Sequence, residues 1–219
     1  KKMFYPQQTI RNLFTILLIT LLATGCSRTY YSAMEKVGVH KRDILVDRVG
    51  EARDSQAEAQ EQFKSALEQF GSVVELKNTI LKKAYDKLEK EYTSCEKAAQ
   101  KVSDRIDSVE KVSHALFNEW ENELKLYDNK ELRKTSKKQL QDTRARYQKM
   151  LASMHTAEKS MAPVLKTFRD NVLFLKHNLN AQAIGSLQSE FSSLEKDIDI
   201  LIQRMNKAIE QSNTFIAQM

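Results

Sequence analysis

Cysteine, proline and glycine are scarce in this sequence: its 219 residues hold two cysteines, two prolines and five glycines. Two cysteines allow at most one internal disulfide, so no cystine framework holds the fold together. With so few helix breakers, and with charged residues at 29% drawn mainly from Glu and Lys, the composition reads as long helices with little else. Patterns that carry chemistry are missing too. The histidines His40, His114, His155 and His177 follow Val37, Lys111, Ala152 and Phe174 by three positions, so the Glu-x-x-His pairs of a di-iron bundle are absent. Neither His-Glu-x-x-His nor a Gly-x-x-x-x-Gly-Lys-Ser/Thr phosphate loop occurs. The expectation is a non-enzymatic protein with no metal and no cofactor.

What is present starts with the leader. Lys1, Lys2 and Arg11 precede an uncharged, mostly apolar run from Leu13 to Ala23, and Thr24-Gly25 leads into Cys26. A positive region, a short apolar region and small residues before a cysteine resemble a bacterial lipoprotein signal over residues 1–25. The apolar run is shorter than the roughly 20 residues of a spanning helix. An uncleaved anchor and an ordinary cleaved signal are the competing readings. On the lipoprotein reading, Cys26 becomes the first mature residue and carries acyl chains, which fix the protein to a membrane. Ser27, where Asp would retain such a protein at the inner membrane, resembles an outer-membrane address facing the periplasm. Only Cys95 then remains, and no internal disulfide can form. The leader also takes three of the 35 cations and none of the 29 acids. The rest is close to charge balance, which excludes a nucleic-acid-binding composition.

Beyond a linker (26–42), spacing carries the fold. Leu81, Tyr85, Leu88, Tyr92, Cys95, Ala99, Val102, Ile106 and Val109 alternate in steps of four and three, a heptad seam. It continues through Val112, Leu116, Trp120, Leu124 and Tyr127. A second seam runs Leu140, Thr143, Tyr147, Met150, Met154, Ala157, Met161, Val164, Phe168, Val172, Leu175, Leu179. A third runs Ile184, Leu187, Phe191, Leu194, Ile198, Leu201, Met205, Ala208, Ser212, Phe215, and Ile202, Ile209 and Ile216 widen it. The weakest is Leu45, Val49, Ala52, Gln56, Ala59, Phe63, Ala66, Phe70. Breaks are expected at Gly71-Ser72, Asp128-Asn129 and Asn178–Asn180, with Asp43 as a candidate N-cap and Pro163 kinking its helix without ending it. The spacing predicts an all-α fold over 43–219: an elongated antiparallel bundle or coiled coil with helices about 43–70, 74–127, 130–179 and 183–218. The second and third helices outrun the others and form a projecting two-helix tip, roughly Val112 to Tyr147.

The tip holds the one biased run of charge. Lys130, Arg133, Lys134, Lys137, Lys138, Arg144, Arg146 and Lys149 stand against Glu131 and Asp142. They are candidates for contact with an anionic partner, either lipid or lipopolysaccharide, or an acidic envelope protein. A solvated coiled-coil face is the plainer reading. Trp120 and Cys95 read as packed core residues, and His177 as a residue with a capping or dipole role at a helix C-terminus.

Four runs also carry a likeness: Tyr30–Gly38, Lys41–Val49, Ala115-Leu116-Phe117-Asn118-Glu119-Trp120-Glu121, and Phe168–Asn180. In these the chain resembles a bacterial family known only as domain of unknown function 2959, over essentially the whole mature sequence. The resemblance implies a helical, envelope-associated protein and no chemistry. The functional expectation is a structural or interaction scaffold, anchored by lipid to the periplasmic face of the outer membrane. The alternative is a membrane-binding module that uses the basic tip.

Overall fold

The computed structural model describes residue 34 and residues 38–75, 81–178 and 181–219. The leader and Cys26 lie outside them. The chain divides into two compact units, residues 1–44 and 45–219.

In the first unit, Gly38 adopts φ +85°, and the Val39 N–H donates to the Met34 carbonyl at 3.0 Å. This is the bond pattern with which glycine ends a helical turn. Helix α1, Lys41–Val74, starts three residues later. Asp43 is not its N-cap. It sits in the first turn, and its carboxylate accepts from the His40 N–H at 3.3 Å, the return bond of a capping box.

The second unit contains the rest of α1, then α2 (Leu81–Glu123), a 3-10 turn (Leu124–Leu126), α3 (Lys130–His177) and α4 (Ala181–Ala217). Among the described residues there is no strand. Asn129 starts α3: its Oδ1 accepts from Glu131 N–H at 3.0 Å and Leu132 N–H at 3.1 Å. Asn178 ends it, with its N–H on the Leu175 carbonyl at 3.2 Å and its Nδ2 on the Phe174 carbonyl at 2.9 Å. Lys176 and His177 fill the last turn, where the Lys176 ammonium complements the helix dipole. Helix α3 passes through Pro163 without a break, as expected. Helix α1 differs from expectation by running through Gly71-Ser72 to Val74. A Cβ on Gly71 would meet the Phe191 ring at 3.2 Å, so this glycine serves close approach of α1 to α4, not chain reversal.

Cross-helix pairs give the topology. Glu51 meets Arg105 at 2.8 Å and Gln62 meets Glu91 at 2.7 Å between α1 and α2. Tyr92 and Phe168 join α2 to α3, and Tyr147 and Phe215 join α3 to α4. Gln60 donates to Asn206 at 2.9 Å and Arg53 to Asn213 at 3.0 Å, closing α4 against α1. In each pair residue numbers rise on one helix as they fall on the other. The four helices therefore form a closed up-down-up-down ring, with Phe70 and Phe168 meeting edge-on across it. The seams fill the interior. All eight seam residues of α1, read as the weakest, are buried, and Leu45, Val49, Ala52, Ala59, Phe63 and Phe70 are wholly so. Its alanines lower its hydrophobicity but let its neighbours come close, which completes the burial.

The register also shows where the ring stops. Six residues before Glu51, Leu45 falls opposite residue 111 of α2; two residues after Phe215, Ala217 falls opposite residue 145 of α3. Within the second unit, α2 and α3 continue from there as a hairpin of two.

Candidate functional site: the end of the hairpin

One seam holds the hairpin. Phe117 packs edge-on against Tyr147, with centroids 5.3 Å apart, and the Tyr147 hydroxyl lies 2.6 Å from Ser113 Oγ. Trp120 is half-buried, and its Nε1–H donates to Ser136 Oγ at 2.9 Å across the two arms. Leu124 and Leu140 are the last well-buried apolar pair. Tyr127, expected on the stripe, is exposed. The α-helix ends at Glu123, and Tyr127 takes extended backbone angles, φ −75° and ψ 119°, so its side chain no longer follows the helical phase.

Beyond that pair the surface is apolar and basic at once. Leu126 is 79% exposed, Leu132 58% and Tyr127 39%. These three are half of the large apolar residues exposed among the described residues, gathered in seven sequence positions. Neither Leu126 nor Leu132 belongs to the predicted seam. The signal that could have revealed them is that same misfit: two leucines, each with a cation beside it in sequence, that no heptad position accounts for.

The eight basic candidates do not form one surface. At 100° per residue, Lys130, Arg133, Lys134 and Lys137 fall on one flank of α3. All four are exposed, and none has an ion pair among the described residues. Arg144 shares that flank but is engaged, 2.7 Å from Glu121 and over the Phe117 ring at 5.1 Å. Lys138 pairs with Asp142 at 2.6 Å. Arg146 and Lys149 turn to another face, where Arg146 donates to Thr143 Oγ1 at 3.1 Å. The α2 arm opposes this charge: residues 112–123 carry Glu119, Glu121 and Glu123 and no Lys or Arg. The basic character belongs to one flank of one helix, not to the tip as a whole.

Titratable groups elsewhere are structural. Burial, followed by the charge of Glu91, pushes the Cys95 thiol up to about 12, far from the reactive thiolate range. His155 lies between α2 and α3 with Nε2 2.9 Å from Glu110 and Nδ1 2.8 Å from Glu158. Burial favours its neutral form, but hydrogen bonds to both carboxylates outweigh this and raise its pKa. Among the described residues no group of three or more His, Cys, Asp or Glu could hold a metal ion, and no helix is long and apolar enough to cross a membrane. Surface depressions are open grooves lined by side chains such as Lys97, Gln100, Lys101 and Asp104.

These features define an all-α protein: an antiparallel four-helix bundle whose middle pair runs on as a hairpin. A family model described as "Protein of unknown function (DUF2959)" matches residues 30–219. The chain belongs to that family. No curated protein and no solved structure matches it.

Proposed function

We infer that the protein is a non-catalytic scaffold of the bacterial envelope, acylated at Cys26 and held on the periplasmic face of the outer membrane, with its hairpin offered to a binding partner. The observation that carries this reading is the distribution of apolar surface. Most seam residues are consumed inside the bundle, and half of the large apolar residues left exposed among the described residues, Leu126, Tyr127 and Leu132, gather at the hairpin end, the others being Leu173, Phe174 and Ile200. Helices whose polar faces carry scattered, mutually paired charges, such as Arg48 with Glu51 and Lys64 with Glu61, suit a role as a spacer more than one in chemistry.

The anchor and the surface are tested separately. Metabolic labelling with palmitate should mark the wild-type chain and not Cys26→Ala, which should leave the membrane fraction. An unlabelled wild-type chain ends the anchor reading. Photocrosslinking in intact cells from position 134 should give discrete adducts that position 97, on the body of the bundle, does not. Equal yields from both positions end the scaffold reading.

A further inference from the structure

We propose that the end of the hairpin is a membrane-contact site, in which Leu126, Tyr127 and Leu132 enter the interfacial layer of an anionic lipid surface while Lys130, Arg133, Lys134 and Lys137 hold its headgroups. The proposal concerns this end alone, takes a lipid surface in place of a protein as what the hairpin end meets, and stands whether or not Cys26 is acylated. Three observations converge on it. First, two leucines and a tyrosine face water where nothing of the chain covers them among the described residues. Second, residues 125–138 carry six cations against Asp128 and Glu131, a net charge of +4, and the four cations of the exposed flank have no ion pair among the described residues. Third, the apolar residues adjoin the flank along the chain: Leu126 and Tyr127 sit between Lys125 and Lys130, while Leu132, about 150° round α3 from the middle of the flank, puts an apolar side chain on the other side of the same first turn. Apolar side chains entering the acyl boundary, a tyrosine at headgroup depth and lysines whose stems follow the apolar phase are the arrangement of an interfacial contact.

Two other occupants fit less well. A stable protein interface buries about 1,200 Å² or more, whereas the end of a two-helix hairpin offers three apolar side chains and no enclosing pocket among the described residues. A second copy bound end to end would bring two +4 clusters together. The carboxylates nearby do not cancel the cations of the flank. Glu121 and Asp142 are engaged by Arg144 and Lys138, and Glu123 lies on the other arm.

The test uses the full chain with Trp120→Phe and Tyr127→Trp, which moves the single tryptophan to the end of the hairpin. Vesicles of phosphatidylcholine, with or without phosphatidylglycerol, carry brominated acyl chains. The readout is quenching at position 127 and not total binding, so that lipid taken up by the apolar leader does not count. Quenching should appear on phosphatidylglycerol vesicles, fade as salt rises and be weak on phosphatidylcholine. Adding Lys130→Glu, Lys134→Glu and Lys137→Glu should raise the lipid concentration for half-quenching by about 100-fold or more, the fold-change that corresponds to about 1 kcal/mol for each of three cations removed; these residues are exposed, so the helical melt should not move. Absence of quenching while the chain floats with phosphatidylglycerol vesicles overturns the proposal, and so does equal quenching on neutral vesicles. A blue shift that follows protein concentration without lipid assigns the site to a second copy and also overturns it.

Discussion

The four-helix part of the second unit and its two-helix hairpin are written in the same heptad repeat, yet they bury it differently. In the bundle, Phe63, Val102, Met154 and Met205, one from each helix, are 0% exposed. In the hairpin, Leu116, Leu124 and Ser136 keep 8–9%, and a tryptophan indole must find a serine hydroxyl to be satisfied. The difference is the number of neighbours. An apolar residue between two helices is covered from one side, and one inside a closed ring from several. Periodicity states which face turns inward; it does not state how dry that face becomes. The hairpin is thus the less stable region, and the one with surface left for something else.

The comparison breaks most readily at the aromatic layer. Phe168 touches both Phe70 and Tyr92, so Phe168→Ala should cost about 3–5 kcal/mol in urea denaturation; a loss below 1 kcal/mol would mean the bundle is no better packed than the hairpin. Next is Gln56, wholly buried with both amide atoms unpaired. An unsatisfied buried polar group costs about 1–3 kcal/mol, so Gln56→Leu should raise the denaturation midpoint by a comparable amount. A drop would mean the amide is needed in that layer. In the hairpin, Trp120→Phe removes the bond to Ser136 and should cost about 1 kcal/mol. Hydrogen exchange should quicken over residues 116–143 while the bundle amides keep their protection. Quickening throughout would make hairpin and bundle one cooperative unit.

The smallest effect lies where the regions meet. Both ring nitrogens of His155 face carboxylates, which accept hydrogen bonds and so favour the doubly protonated ring. Its folded pKa is raised, so the protonated ring is held more firmly in the folded state than in the unfolded one. The contribution is complete below the ordinary value of about 6.5 and is lost as pH rises through the raised value. Stability measured across that window should decline in the wild type and flatten in His155→Gln. An unchanged slope would place the pH dependence elsewhere.

Much of the architecture was legible because seam spacing depends only on the chain. Leu88, Val102, Met154, Leu194 and Met205 are buried as their positions require, and Asn129 caps α3 where a break was expected. The departures arise where the outcome depends on a partner. Gly71-Ser72 reads as a break in isolation, but the ring of Phe191 gives the glycine a packing role. Tyr127 stays in phase only if the helix continues past Glu123. The basic run looked like one site because it is contiguous in sequence. Helical geometry splits it, placing Arg146 and Lys149 away from the flank that holds Lys130, Lys134 and Lys137. The exposed leucines could not be recognised without knowing where the burying helices stop.

The seam that closes the ring joins the beginning of the bundle to its end. Arg53 and Asn213 are 160 positions apart, and Gln60 and Asn206 are 146. A ribosome releases α1 well before α4, so the first helix has one adjacent partner early and waits for the other until α4 has emerged. Closing so long a loop makes it the natural final step of folding. A nascent chain halted before α4 would leave Leu45, Phe63 and Phe70 open to aggregation or to a chaperone.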